Sequence, residues 1–425
     1  MPAFVNLRNG TLMASSETIE LHIEKMVQNG VGFARHDGQA CMVKYAIPGE
    51  LVKARIDVRH KQFLEATAVE ILEASAERIE PPCPLFYTCG GCHVQHMSYT
   101  CQLASKTEAL EDCLKRIGKL TEPQIADAIA SPENLHYRIK TGLKVELQPE
   151  PVIGLYQEKS HTLINLERCL LLHAKLNDAL PLLRAQYSEK PLVKAKVQLV
   201  DMLLCSDPET ILVHAQSSAR KARSFSLSLS DGRFSQCPEG AGETVSDLRF
   251  IRTANSFCQV NAGQNENLIE TVLDCIEPDS SRRILELYCG SGNFSLFLAR
   301  FGAQVFGIEG NRVAVEQARA NATNNDIQGC RFEAADVNQI KLKSLPFKYN
   351  CLLLNPPRSG CASRTIDQIC RLRPQSIVYV SCNPATLARD IHLLCSGGYH
   401  VARIQPLDMV PQTCHIETVV KLIRQ

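Results

Sequence analysis

From about Asn261 onward the chain alternates short apolar runs with helical patterns, and this rhythm limits the possible folds more than any other feature. Strands are expected at Arg283–Leu287, Gln304–Ile308, Cys330–Ala334, Cys351–Leu354, Ser376–Val380 and His400–Ile404, with a last one near Glu417–Leu422. Helical patterns such as Arg312–Asn325 and Thr386–Leu394 fall between them. Short strands separated by helices build a mostly parallel, doubly wound α/β sheet. Such sheets bind ligands beyond the carboxyl ends of their strands. The residues that follow each apolar run therefore matter most.

Two of those ends carry groups suited to covalent chemistry. The run Ile377-Val-Tyr-Val-Ser-Cys-Asn-Pro384 sets Cys382 at a strand end, just before an Asn-Pro turn and a new helix. Thr413-Cys-His-Ile-Glu-Thr418 offers Glu417, a carboxylate able to act as a general base. A cysteine taken alone is ordinarily a small buried core residue, so Cys382 needs its context to stand out.

Three other ends outline a nucleoside pocket. In Glu286-Leu-Tyr-Cys-Gly-Ser-Gly-Asn293 the glycines Gly290 and Gly292 let backbone approach a ligand closely. Glu309 ends the next strand, where a carboxylate accepts hydrogen bonds from ribose hydroxyls. Asp336 follows the third strand, within reach of an adenine amino group. The turn lacks the third glycine of the dinucleotide fingerprint. A cofactor without a pyrophosphate, such as S-adenosylmethionine, needs only this shorter turn. A Gly-x-Gly turn alone is weak evidence; its order with Glu309 and Asp336 is what points to a cofactor.

At 425 residues the chain exceeds one ordinary domain, and two or three are expected. Residues 18–72 read as short alternating strands with turns at Asn29-Gly30 and Asp37-Gly38, the pattern of a small β-barrel of the oligonucleotide-binding type. Residues 138–252 are mostly strand-like with one helix, His173–Gln186, and read as an α+β central domain. The expected boundaries are 12–75 for the barrel, 76–260 for the central domain and 261–425 for the α/β domain. With 45% hydrophobic and 21% charged residues, ample core is available. No run of about 18 apolar residues suggests a membrane span, and Met1-Pro-Ala-Phe lacks a secretory pattern, so a cytoplasmic location is expected. A net charge of +1 neither demands nor excludes nucleic acid. The local basic groups Lys53, Arg55, Arg59 and Lys61, and Arg220, Lys221 and Arg223, read individually as solvated faces.

Nineteen cysteines without a secretory pattern suggest reduced thiols rather than a disulfide framework. Cys83, Cys89 and Cys92, with Gly-Gly between the last two, and the later Cys169 form a candidate metal-ligand set. All-thiolate ligation suits zinc or an iron–sulfur cluster. Zinc would call for a second close cysteine pair, which is missing. Cys101 and Cys113 fall in the helix expected near 100–117 and read as packing residues.

Taken in order, these segments closely resemble the RNA uracil-5-methyltransferase family. The resemblance is carried by Phe257-Cys-Gln-Val-Asn261, Ile284–Phe294, Asn355-Pro-Pro-Arg-Ser-Gly360, Ser381-Cys-Asn-Pro-Ala-Thr386 and His415-Ile-Glu417. It extends through the cysteine set to the N-terminal barrel, which resembles a TRAM domain. It implies a multidomain chain: a TRAM barrel, a central domain holding an iron–sulfur cluster, and a Rossmann-like methyltransferase domain. It implies S-adenosyl-L-methionine bound by Gln259, Tyr288, Gly290, Asn293, Glu309, Asp336 and Asn355, with Cys382 as nucleophile and Glu417 as base. It implies a 4Fe-4S cluster on Cys83, Cys89, Cys92 and Cys169. The barrel and cysteine set together look like enzymes acting on 23S ribosomal RNA, so rRNA is favoured over tRNA, with a monomer expected. The family usually has Asp where this chain has Asn355; Asn keeps an acceptor oxygen but loses the charge. A tRNA enzyme, a cytosine-5-methyltransferase and an RNA-binding protein without catalysis are the competing readings. The aromatics Phe257, Tyr288 and Phe332 are candidates to stack on a base or to serve as core.

Overall fold

A computed structural model of the protein describes residues 17–148, 150–189, 197–206, 209–217, 224–230, 232–235, 241–345 and 348–425. The basic run of Arg220, Lys221 and Arg223 lies outside the described residues. The chain divides into two compact units: Met1–Asp112 with Pro411–His415, and Cys113–Val410 with Ile416–Gln425.

The first unit opens with six strands, β1 (Thr18–His22), β2 (Lys25–Val27), β3 (Val31–His36), β4 (Gln39–Lys44), β5 (Leu51–Arg59) and β6 (Phe63–Glu73). They form one sheet in the order β1-β5-β6-β4-β3-β2. Every second residue points inward, so Ile19 and Leu21, Val52, Ala54 and Ile56, and Leu64 and Ala66 share one core with Cys41 and Val43. The turns fall where the sequence places them: Asn29, Gly30, Asp37 and Gly38 all adopt positive φ, as primed hairpin turns require. Arg55 pairs with Asp57 and Arg59 with Glu17, so part of the basic stretch is internally compensated.

Helix α1 (Tyr99–Arg116) follows, and Cys101 packs beside Met26, Ile47, Val94 and Met97. The separate stretch Pro411–His415 folds into this unit. The His93 and Val94 amides donate to the Gln412 carbonyl at 2.9 and 3.3 Å, and Gln102 and Gln412 exchange two further bonds of 3.0 Å.

The second unit contains the antiparallel strands β7 (Lys140–Gln148), β8 (Glu150–Tyr156), β9 (Leu163–Asn165), β10 (Val197–Ser206), β11 (Glu209–Ser217), β12 (Ser224–Ser230) and β13 (Arg233–Ser235), with helix α2 (Ala174–Glu189). A hairpin of β14 (Gly242–Val245) and β15 (Leu248–Ile251) leads to helix α3 (Ala262–Ile276). Asn261 caps α3 by accepting the Gln264 amide at 3.1 Å.

The alternating part follows the expected rhythm. Its elements are β16 (Arg283–Leu287), α4 (Ser295–Arg300), β17 (Gln304–Glu309), α5 (Arg312–Asn324), β18 (Cys330–Ala334), β19 (Cys351–Leu354), α6 (Ser363–Leu372), β20 (Ser376–Ser381), α7 (Pro384–Ser396), β21 (Tyr399–Leu407) and β22 (Glu417–Arg424). The sheet order is β18-β17-β16-β19-β20-β22-β21, with β22 antiparallel to both neighbours and β16 to β20 parallel. Buried on both faces, these strands read as continuous apolar runs such as Leu352–Leu354 and Ile377–Val380. The order reverses at β16, and the carboxyl ends of β16, β17, β19 and β20 lead into Tyr288, Gly310, Asn355 and Cys382. Among the described residues no helix is long and apolar enough to cross a membrane.

Candidate active site

Strand β20 ends at Ser381, which faces Thr418 of the antiparallel β22. The next residues outward are Cys382 and Glu417, so strand register alone makes them neighbours at the open end of the sheet. Helix α7 starts immediately after, with Asn383 as N-cap accepting the Ala385 amide at 3.1 Å and Pro384 in the first turn. Cys382 is half-buried, and Glu417 retains 7% exposure.

Burial dominates the electrostatics of both groups. It pushes the Glu417 carboxyl up to about 8, and Arg358 pulls in the opposite direction. It also raises the Cys382 thiol, and Glu417 raises it further. Arg358 again opposes this, by its charge and by a hydrogen bond to the thiol. The Asn383 amide and the Thr386 hydroxyl donate to the Arg358 carbonyl at 3.0 and 3.1 Å. One cation thus faces a thiol and a carboxyl that both resist ionisation. Its role was missed in the sequence, where the only signal was its place directly after the Asn-Pro-Pro run at a strand end.

The glycine-rich turn is folded as its composition demands. Tyr288, Gly290 and Gly292 have φ of 65°, 55° and 89°. A Cβ on Gly292 would stand 2.5 Å from the Leu296 Cδ1, whereas one on Gly290 would meet nothing within 4 Å. Gly292 is therefore needed for packing, and Gly290 faces the open space a ligand would use. The Glu309 carboxylate braces this turn, accepting the Gly290 amide at 3.1 Å and the Asn311 amide at 2.8 Å.

Other expected pocket residues lie around the same strand ends, with more internal engagement than the sequence suggests. Asn293 exchanges amide hydrogen bonds of 2.9 and 3.2 Å with Asn265 on α3, a partner that sequence reasoning did not identify. Asp336 is exposed and accepts the Asn338 amide and the Gln339 side chain, each at 2.9 Å. Asn355, half-buried, follows β19 and donates its backbone amide to the Leu287 carbonyl at 3.3 Å. Gln259 is half-buried two residues before the Asn261 cap. Behind the turn, Arg252 donates to the Ser291 hydroxyl at 2.5 Å and pairs with buried Glu243 at 3.4 Å. Of the three aromatics, Phe332 belongs to the core, Tyr288 is half-buried and Phe257 is 72% exposed. An open turn with a carboxylate on the neighbouring strand suits a nucleoside cofactor that carries no pyrophosphate.

The expected metal set is not shown by the structure. Among the described residues no group of three or more His, Cys, Asp or Glu side chains is placed to hold a metal ion. Cys83, Cys89 and Cys92 belong to the first unit and Cys169 to the second. The Cys83–Cys92 stretch is wound into hydrogen-bonded turns, Phe86 N–H to Cys83 O at 3.1 Å and Cys89 N–H to Leu85 O at 2.7 Å, around a buried Phe86.

Comparison with known proteins identifies the family. Residues 244–425 match the family described as tRNA (uracil-5-)-methyltransferase, and residues 16–69 match the TRAM domain. Similar chains include an uncharacterized RNA methyltransferase of Halalkalibacterium halodurans, 31% identical over 96% of this chain and 97% of that one. Another from Listeria innocua is 32% identical over 97% and 99%. Among solved structures, the tRNA (uracil-54, C5)-methyltransferase of Pyrococcus abyssi in complex with S-adenosyl-L-homocysteine superposes with a TM-score of 0.73. It is 25% identical and covers 95% of this chain and 99% of its own. With relatives aligned along nearly its whole length and the family model matched over 244–425, the chain belongs to the RNA uracil-5-methyltransferase family.

Proposed function

We propose that this protein methylates C5 of a uridine in 23S ribosomal RNA through a covalent bond between Cys382 and C6 of the base. The observation that carries the proposal is the adjacency of Cys382 and Glu417, with Arg358 acting on both. C5 of uracil is a poor nucleophile. Addition of the Cys382 thiolate to C6 turns the C4–C5 bond into an enolate, and C5 can then form a bond to carbon. S-adenosylmethionine, which Gln259, Tyr288, Gly290, Asn293, Glu309, Asp336 and Asn355 would hold, would supply the methyl group as an electrophile, the electron pair of the broken S–CH3 bond staying on its sulfur. The Glu417 carboxylate then takes the C5 proton, the electron pair re-forms the C5–C6 double bond, and the thiolate leaves. Arg358 offsets the burial that keeps thiol and carboxyl protonated.

The RNA enters as an unpaired loop from which one base can be turned out, and exposed Phe257 offers a stacking face beside the pocket. The choice of 23S rRNA over tRNA rests on the N-terminal barrel and the cysteine pattern. The 4Fe-4S assignment rests on cysteine spacing and resemblance alone, and no step uses it. Iron and sulfide in equal amounts in protein purified without oxygen would support it; stoichiometric zinc would remove it. The test of the reaction is incubation with cofactor and RNA containing 5-fluorouridine. Fluorine cannot leave as a cation, so the methylated adduct should persist as a protein–RNA band resistant to denaturant. No band with an RNA that binds would favour the non-catalytic reading, and a band only with cytidine analogues would favour the cytosine-5 enzyme. Mass mapping of rRNA and tRNA from a deletion strain would identify the substrate.

A further inference from the structure

Outside the reacting groups, Asp390 on α7 is a heavily bonded buried polar residue, fully shielded from solvent. Its carboxylate accepts the Tyr379 hydroxyl at 2.6 Å, the Cys361 amide at 2.8 Å and the Arg389 guanidinium at 2.8 Å. Arg389 in turn donates to the Ser359 and Cys361 carbonyls at 3.1 and 3.0 Å. Between those residues Gly360 has φ of 73°, and a Cβ there would lie 2.7 Å from both the Asp390 Oδ2 and the Arg389 Nη2. The loop from Ser359 to Cys361 is thus wound directly onto the Asp390–Arg389 pair, with no room for a side chain between them.

Arg358 is the residue immediately before this anchor. Its own carbonyl is held by Asn383 and Thr386, which lie seven and four residues before Asp390 and so share a face of α7 with it. The same helix begins one residue after Cys382 with its cap, and Tyr379 lies three residues before Cys382 on β20. The elements on either side of the thiol are therefore both tied to one buried carboxylate that fixes the Arg358 loop. An apolar side chain would pack α7 against the loop equally well, so a buried charge is not required for cohesion. What a carboxylate adds is direction, because it fixes a backbone amide, a guanidinium and a hydroxyl at set angles.

We propose that Asp390 is a positioning residue: through Tyr379, Arg389 and the Ser359–Cys361 backbone it aims Arg358 at Cys382 and Glu417. This rests on reading Cys382 as the nucleophile, but its primary test does not depend on RNA. Alkylation of Cys382 by iodoacetamide is followed against pH in the full chain, by mass spectrometry of the Cys382 peptide. An opposite charge a few ångströms away lowers a thiol pKa by at least about one unit, so its loss should slow alkylation near pH 8 about tenfold. The Arg358→Met and Asp390→Asn variants should each show this loss, and the double variant should be no slower than Arg358→Met alone. Tyr379→Phe keeps the core volume and should give a smaller loss of the same kind. It carries the test if Asp390→Asn fails to fold. In methylation assays the single variants should lower kcat with the KM for RNA unchanged. A folded Asp390→Asn protein with a lower Tm but the parent's alkylation profile would overturn the proposal, as would additive effects in the double variant. Absence of an RNA adduct in the parent would overturn the proposed reaction and leave the alkylation result standing, so the two failures are distinguishable.

Discussion

Cys382 and Glu417 sit opposite one another one step beyond the Ser381–Thr418 pair, on strands that run antiparallel at the end of an otherwise parallel sheet. Sequence separation is therefore no guide to their relation; strand register is. The two groups should fail differently when removed. Cys382→Ala should lose both methylation and the 5-fluorouridine adduct. Glu417→Gln should keep bond formation at C6 and C5 but lose proton removal, so unmodified uridine RNA should accumulate as a methylated covalent complex. A denaturing gel with labelled RNA separates these outcomes. A Glu417→Gln protein that turns over at the parental rate would remove it from the base role.

The pH dependence follows from burial. As the proposed base, Glu417 would act only when ionised, and burial holds its pKa near 8, so at pH 7 only about a tenth of it is a carboxylate. The Cys382 thiolate also becomes commoner as pH rises. Single-turnover rates should therefore climb steeply between pH 6.5 and 8, where both groups ionise further, and keep rising more shallowly above 8 as the thiol alone continues to ionise. Arg358→Met removes a charge that lowers both pKa values, so its rising limb should move to higher pH. A profile that is flat, or that falls from pH 6.5, would contradict this arrangement.

The two glycines of the cofactor turn should separate binding from folding. Alanine at Gly290 would meet no neighbour, so its costs are the positive φ, roughly 1 kcal/mol, and a methyl group in the ligand's space. Alanine at Gly292 would press on Leu296 inside the core. Calorimetry with S-adenosylhomocysteine should show weaker binding for Gly290→Ala at nearly parental Tm. Gly292→Ala should lose several degrees of Tm. If both variants bind as the parent does, the turn is not the cofactor site.

Much of this architecture was legible because its signals are local. Alternation of period two marked the barrel strands, Asn-Gly and Asp-Gly marked their turns, and apolar runs between helical patterns marked the parallel sheet. Cys382, Gly290 and Glu309 could be singled out because each ends a recognisable run. Arg358, Asn265 and Asp390 could not. Their importance comes from tertiary neighbours, Glu417, Asn293 and Tyr379 respectively, and no spacing rule links such partners across separate elements. The cysteine set is legible in another way: Cys83, Cys89 and Cys92 lie within a short stretch and Cys169 far beyond it, and only the resemblance links the four.

Asn355 stands at the end of β19 where the family usually has Asp, and its amide cannot provide a negative charge facing a sulfonium. Asn355→Asp should therefore give equal or greater methylation, mostly through tighter cofactor binding. A large loss of activity in that variant would show that the neutral amide is the specialised choice, for the base edge or for the loop leading to Arg358.

Glu417 also makes a prediction about stability. Its folded pKa of about 8 lies above its ordinary 4.5, so the folded state holds this proton more tightly than the unfolded chain does. Its contribution is fully present below pH 4.5 and is lost as pH rises through about 8. The gap, about 8 minus 4.5, corresponds to roughly 5 kcal/mol at 1.36 kcal/mol per pH unit. Glutamine keeps the neutral shape but cannot ionise. Glu417→Gln should match the parent in denaturant midpoint near pH 4.5 and exceed it increasingly up to pH 9. This is the behaviour of a carboxyl whose burial weakens the fold once it ionises, as the proposed base role requires. Equal midpoints for the two proteins across that range would mean that the carboxylate is already stabilised in the native site, and that its pKa is not raised.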